Sequence, residues 1–147
     1  MDFRHLADSR RRTPGRSENQ NSTHLWKWAD IYDGLAMEYV NPLTGGSTLP
    51  TLSCWIQLLK AGQRTQSHRH TSTVLYHAFR GRGTTVIDGQ EFHWEQGDNF
   101  VVPLWHWHEH ANTSASDEAI LFSMNDAPVL KPFGLYREET RRSQLGL

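Results

Sequence analysis

From Leu52 to Asn125 the sequence falls into short apolar and β-branched runs cut by glycines, and this pattern restricts the fold more than any other feature. The runs are 52–60, 64–70, 73–80, 83–87, 90–94, 98–102, 106–112 and 118–125, with Gly62, Gly81, Gly83, Gly89 and Gly97 between them or at their edges. Many short strands divided by glycine turns predict an all-β sandwich or barrel, and closure into a barrel removes exposed sheet edges. Asp88-Gly89, between TTVI and QEFHW, is a two-residue hairpin turn, because both central residues of such a turn need positive φ. No helical stretches of 10 to 15 residues alternate with the strands, which argues against a parallel doubly wound sheet. At 147 residues the chain has the length of one domain and can bury a core without crosslinks.

The flanks read differently. Residues 1–23 are polar, contain Pro14 and Gly15, and predict a flexible arm or a segment laid on a partner subunit. Ser22 or Thr23 is a candidate cap for a short helix through HLWKWADIYDGLA, where Trp28, Ile31, Tyr32 and Leu35 recur at near-helical spacing. NPLTGGSTLP is a turn-rich crossing segment. The Pro-interrupted APVLKPFGLY is expected to pack outside the barrel or on a neighbour, and residues 138–147 to form a flexible tail. The predicted organisation is one domain over 24–137, including the helix and the packed C-terminal segment.

Charge narrows the partners. The formal net charge is -1 and the pI about 6.7, so no global positive field attracts phosphate backbones. The run Arg10 to Arg12 is too short to change that, and nucleic acid is not an expected partner. No stretch approaches 18 apolar residues and no apolar signal region opens the chain, so the expected compartment is the cytoplasm and no membrane is involved. Cys54 is the single cysteine, which excludes an internal disulfide and a cysteine zinc knuckle; in LSCWIQLL it reads as a buried structural thiol.

Histidine is the unusual residue. There are nine, seven of them between His68 and His110. His68 and His70 stand two apart, so on a strand both imidazoles point to one face. In GDNFVVPLWHWHEHAN, His106, His108 and His110 share one parity and Trp105 and Trp107 the other, as expected if one row faces a cavity and the other packs in a shell. Brought together in a barrel, the two clusters can supply three imidazoles to one ion, a donor set suited to Fe, Zn, Cu or Ni. Each ligand also needs its second nitrogen oriented, by Glu109, Asn112 or a backbone carbonyl. His77 and His93 lack metal partners by spacing and read as structural; Arg69 alternates outward as a solvated or interface residue. Trp94, Trp105 and Trp107 read first as core or interface aromatics.

These two segments resemble the paired motifs of the cupin superfamily. Gly62, QRTQS, His68-Arg69-His70 and a closing Gly81 match the first; Gly97, DNFVV, Pro103-Leu104-Trp105, His108 and Asn112 match the second. The resemblance implies a jelly-roll barrel, here with a short N-terminal helix, and its spacing selects His108 as third ligand over His106 and His110. The sequence departs from the motifs twice. Val74 and Leu75 stand where many cupins place a glutamate, and Trp105 stands where the second motif has glycine. A three-histidine site is neutral, leaving a bound dication its full +2 charge and open positions for an anionic chelating ligand and O₂.

The strings YVNPLTGGSTLPT, HRHTSTVLYHAFRGRGTTVIDG, GDNFVVPLWHWHEHAN and NDAPVLKPFGLYREE are similar to the ring-cleaving dioxygenases of gentisate, salicylate and 1-hydroxy-2-naphthoate. That likeness implies Fe²⁺ on His68, His70 and His108, with Zn, Ni, Mn or Co as other divalent candidates. The substrate is then a small hydroxylated aromatic acid, bound through its carboxylate and ortho hydroxyl, and O₂ is inserted into the ring. His110 resembles the histidine that touches substrate or oxygen, and Tyr76 is a second candidate to position or protonate the oxygen. Tyr76 occupies the place where the family's catalytic cupin carries an arginine. Family chains usually hold two cupins, and the NPLTGG lead-in resembles the second, so this chain is read as a free-standing enzyme with a different substrate or as a C-terminal half. A homodimer or larger homo-oligomer, with the N-terminal arm or helix in the contact, follows from the single barrel. The alternatives are a metal-dependent isomerase, cyclase or decarboxylase of the same fold, and a non-catalytic structural or sensor cupin.

Overall fold

The computed structural model describes residues 26–28 and 35–141. β1 (Trp26–Trp28) and β2 (Leu35–Tyr39) precede β3 (Ser53–Leu59), β4 (His68–His70), β5 (Val74–Arg80), β6 (Arg82–Ile87), β7 (Gln90–Glu95), β8 (Asn99–Val102), β9 (His108–Asn112) and β10 (Ala119–Asn125). A single helical turn, α1 (Ala127–Leu130), and β11 (Glu138–Thr140) complete the order. Two antiparallel sheets result: one of six strands ordered β1-β2-β3-β10-β5-β8, the other of five ordered β11-β4-β9-β6-β7. Each of the eight strands expected between Leu52 and Asn125 is present, with β4 and β9 shorter than their apolar runs.

The period-2 pattern explains the layers. Val74, Tyr76 and Ala78 of β5 are buried while Leu75 and Phe79, of the opposite parity, face outward. The inward set joins Leu59, Val102 and Leu121 in the core between the sheets. A fully buried aliphatic side chain of this kind contributes about 1.5–3 kcal/mol. The Asp88-Gly89 turn has φ of 47° and 86° and sets the β6–β7 register from Ile87↔Gln90 back to Arg82↔Glu95. Asn112, the last motif residue, ties the barrel end together: its Nδ2 donates to the carbonyls of Leu59, Lys60 and Asp117, and its Oδ1 accepts from the Ser114 N–H.

Two expectations change. The predicted helix through residues 24–36 is not what forms at its described positions: Trp26–Trp28 is a strand paired antiparallel with β2, Trp26 opposite Tyr39. WKW and LAMEY can each take extended pairing, and β2 would otherwise leave a sheet edge open, so long-range pairing overrides the helical spacing. Residues 29–34, and the arm 1–23, lie outside the described residues. Residues 138–140, expected in a flexible tail, form a strand instead: β11 pairs with the histidine strand β4, Glu138 opposite His70 and Thr140 opposite His68. Residues 142–147 lie outside the described residues.

Side chains fasten β11. Arg69, expected as a solvated or interface residue, donates Nε–H and Nη2–H to Glu139 Oε2 at 2.9 and 2.6 Å. Its guanidinium lies 4.3 Å from the Trp105 ring centroid and 4.6 Å from that of Trp107, and Arg141 sits 4.1 Å over Trp107. Such contacts contribute about 0.5–1 kcal/mol each at exposed sites. They also account for tryptophan at a glycine position: Trp105 keeps the left-handed backbone, φ 62°, and its ring is held by Arg69 while its N–H donates to His70 O. Cys54, expected as a buried thiol, is half-buried and free. Among the described residues, no helix is long and apolar enough to cross a membrane.

Candidate metal centre

His68 and His70 stand on the inner face of β4, and both are buried. β9 runs beside β4 with His68 opposite His108, so the third imidazole enters from the neighbouring strand. The ring centroids of His68 and His108 are 4.2 Å apart, those of His70 and His108 4.9 Å. One ligating nitrogen from each residue falls within 4.8 Å of the others. Imidazole–metal bonds are about 2.1 Å, so slight side-chain rotation lets the three share one ion.

Backbone carbonyls set the chemistry of these rings. His68 Nδ1–H donates to Gln66 O at 3.1 Å, His70 Nδ1–H to Ser72 O at 2.9 Å, and His108 Nδ1–H to His106 O at 3.0 Å. A carbonyl only accepts, so each proton sits on Nδ1 and each Nε2 keeps a lone pair. His108 Nε2 is fully buried and has no hydrogen-bond partner among the described residues. An orphaned acceptor in a buried site, with His68 and His70 each offering a nitrogen within 4.8 Å, is the donor set a divalent cation fits. Of the three orienting groups expected from the sequence, the carbonyls do the work. Glu109 instead pairs with Arg64 at the surface, and Asn112 bridges the loops.

The remaining candidates separate clearly. His110 is 0% exposed and lies next to the triad, its ring 5.8 Å from that of His108. Tyr76 faces the same interior from β5, 4.6 Å from the His110 ring and stacked on Phe100 at 5.1 Å. His106 precedes β9, bonds Leu104 O and lies 3.8 Å from Asp88 at the surface, outside the group. His77 pairs with Asn99, and His93 is exposed near Glu91. Residues that the sequence left unremarked also reach the interior: Thr85 of β6 meets His110, and Ser72 meets His70. The available signal was a short polar side chain, on an inward strand position for Thr85 and in the bend after β4 for Ser72.

Burial lowers the His110 pKa from its ordinary 6.5 to about 3, with nearby His68 and His70 adding to the effect. His108 is likewise held well below its ordinary value, by burial first and then by His68 and His110. Both are therefore neutral at pH 7. In the unfolded chain they titrate near 6.5, so between about 6.5 and 3 the unfolded state binds more protons. The metal-free fold should keep its full stability above about pH 6.5 and lose it progressively as pH falls toward 3. Urea midpoints at pH 7.5, 5.5 and 4 measure this; a midpoint constant or rising toward acid would contradict it.

Residues 55–125 match the family described as Cupin domain. The protein carries a cupin domain. Its sequence is 50% identical over 108 residues to a 5-aminosalicylate 1,2-dioxygenase from Comamonas sp, a match covering 74% of this chain and 28% of that protein. It is 41% identical to a 1-hydroxy-2-naphthoate 1,2-dioxygenase from Nocardioides sp., with the same coverage of 74% and 28%. Among solved structures, the salicylate 1,2-dioxygenase of Pseudoaminobacter salicylatoxidans, determined as adducts with gentisate, superposes with a TM-score of 0.70 at 30% identity. That match covers 78% of this chain and 31% of the other. The matched part of this cupin thus corresponds to less than a third of the length of these relatives.

Proposed function

We propose that this cupin is a non-haem Fe²⁺ dioxygenase that opens the ring of a hydroxylated aromatic carboxylic acid of the gentisate or salicylate kind. The observation that carries the reading is the grouping of three buried histidines, His68, His70 and His108, each with Nδ1 against a carbonyl and a ligating nitrogen within 4.8 Å of the others. The similarity to dioxygenases of 5-aminosalicylate and 1-hydroxy-2-naphthoate supports the substrate class. Iron held by these histidines would supply a Lewis-acidic centre at which a chelating substrate and O₂ meet.

The protein's own groups do the rest. Three neutral imidazoles leave the site's positive charge uncompensated, which favours a carboxylate and an adjacent phenolic oxygen. Tyr76 and Phe100 form an aromatic wall against which a substrate ring can pack. His110 and Tyr76 are the groups placed to hold a ligand oxygen or exchange a proton with it. With Tyr76 at the position of the family's arginine, carboxylate binding falls to the metal and to His110; Arg64 and Arg69 pair with Glu109 and Glu139 instead.

Anaerobic Fe²⁺ loading followed by an oxygen electrode tests the proposal. O₂ uptake should appear with gentisate, salicylate or a hydroxynaphthoate and vanish on chelation. Turnover without O₂, or no uptake with any of them, would reject it.

We also assign the protein to the cytoplasm, consistent with its lone free Cys54. We further propose a homodimer or larger assembly. Leu75, Phe79 and Val101 lie exposed on the outer face of β5 and β8, Leu75 directly beside Val101, and a second copy would cover them. Sedimentation at micromolar concentration should give at least twice the 17.0 kDa chain mass; a sharp monomer would reject the assembly.

A further inference from the structure

His110 differs from the three histidines beside it in what its Nδ1 meets. Each of theirs faces a backbone carbonyl, that of His70 with the Ser72 hydroxyl also at 3.0 Å. Its own lies 2.8 Å from Thr85 Oγ1, on the residue directly opposite it across the β6–β9 pair. The same hydroxyl oxygen lies 3.0 Å from Trp94 Nε1. All three side chains are buried.

The polarity of this chain follows from its ends. An indole N–H can only donate, so Thr85 Oγ1 accepts from Trp94. A hydroxyl has one proton of its own, and leaving it unpaired in a position sealed from water is strongly disfavoured. His110 Nδ1 is the acceptor beside it. Thr85 therefore donates to Nδ1, and the imidazole proton sits on Nε2. That nitrogen, on the ring edge away from Thr85, is buried and has no hydrogen-bond partner among the described residues.

We propose that Trp94 and Thr85 form a buried relay that fixes His110 as the Nε2–H tautomer, making it a hydrogen-bond donor to an anionic oxygen of the bound ligand rather than a fourth metal ligand. Thr85 and Trp94 are positioning residues, and His110 is the group that touches the ligand. The relay explains how four clustered histidines divide their work. Three have a carbonyl at Nδ1 to take its proton, which leaves the lone pair on Nε2; His110 has a hydroxyl there and, among the described residues, no carbonyl, so its proton sits on Nε2. Gly83 belongs to the same device, since the Trp94 ring occupies the space its side chain would fill. The identity of the ligand oxygen, carboxylate or phenolate, rests on the dioxygenase reading; the tautomer does not.

The test is long-range ¹H–¹⁵N correlation on protein with ¹⁵N-labelled histidine, metal-free and loaded with redox-inactive Zn²⁺. Wild type should show His110 as Nε2–H. Thr85→Ser, which keeps the hydroxyl, should preserve that tautomer, and Thr85→Val, which keeps only the shape, should lose it. Salicylate binding to the Zn²⁺ form should weaken about tenfold in Thr85→Val and recover in Thr85→Ser. An Nδ1–H tautomer in wild type overturns the relay whatever the activity, and that spectrum decides even if Thr85→Val fails to fold. Unchanged salicylate affinity in a folded Thr85→Val overturns the donor role. Absence of O₂ uptake with His110 as Nε2–H would instead defeat the dioxygenase reading and leave the relay standing.

Discussion

Replacing His108 with alanine should strip the protein of bound divalent metal, while His106→Ala should leave occupancy unchanged. Both residues lie in the WHWHEH run, but only His108 turns inward, opposite His68, with a buried Nε2 that has no other partner. His106 spends its Nδ1–H on Leu104 O and sits near Asp88 at the surface. Outer partners of metal ligands cost 10- to 100-fold in affinity when removed. Loss of a direct ligand should therefore weaken binding by at least about 100-fold, with O₂ uptake falling below detection. His68→Ala and His70→Ala should behave like His108→Ala. Metal analysis after dialysis, with circular dichroism to show a folded chain, reads the result. Wild-type occupancy in His108→Ala would remove the triad from consideration.

Gly83→Ala should be among the most destabilising single-methyl additions available in this chain. A Cβ at Gly83 would run into the Ala111 carbonyl oxygen and the six-membered ring of Trp94. Neither can yield easily: Ala111 belongs to β9 directly after His110, and the Trp94 indole is fixed by its bond to Thr85. Overpacking of this kind costs about 3 kcal/mol. The Trp94 shift it forces should also disturb the Thr85–His110 contact, so salicylate binding should fall with stability. Gly46→Ala is the matched control, because its nearest neighbour there is Thr44 Oγ1 at an ordinary 3.5 Å and its backbone is unstrained. Its cost should stay within about 0.5 kcal/mol. Urea denaturation of the two variants compares them directly, and equal midpoints would reject the close-packing argument.

Where the expected and observed folds part, the deciding contacts span long stretches of chain. Trp28, Ile31, Tyr32 and Leu35 have helical spacing, yet Trp26–Trp28 pairs as a strand because β2 offers it an open edge. Glu138–Thr140 carries nothing apolar to mark it as structured. It is recruited by β4 and by the Arg69–Glu139 pair, two partners 70 residues apart. Local spacing cannot report pairing energy that exists only after the sheet has formed.

The sequence alone determined the eight strands from Leu52 to Asn125, because side chains on a sheet alternate strictly and glycine marks the turns, and both signals are local. It also singled out His68 and His70, since an HxH on a strand needs no tertiary information to put two imidazoles on one face; the resemblance to the second cupin motif selected His108 over His106 and His110. Only the tertiary structure decided which nitrogen of each histidine is exposed. That depends on whether a carbonyl stands at Nδ1 to take its proton, and for His110 on the β6–β9 register that sets the Thr85 hydroxyl there instead. Such a choice is made by a neighbouring strand 25 residues away along the chain, where a single hydrogen bond converts the same side chain from ligand to donor.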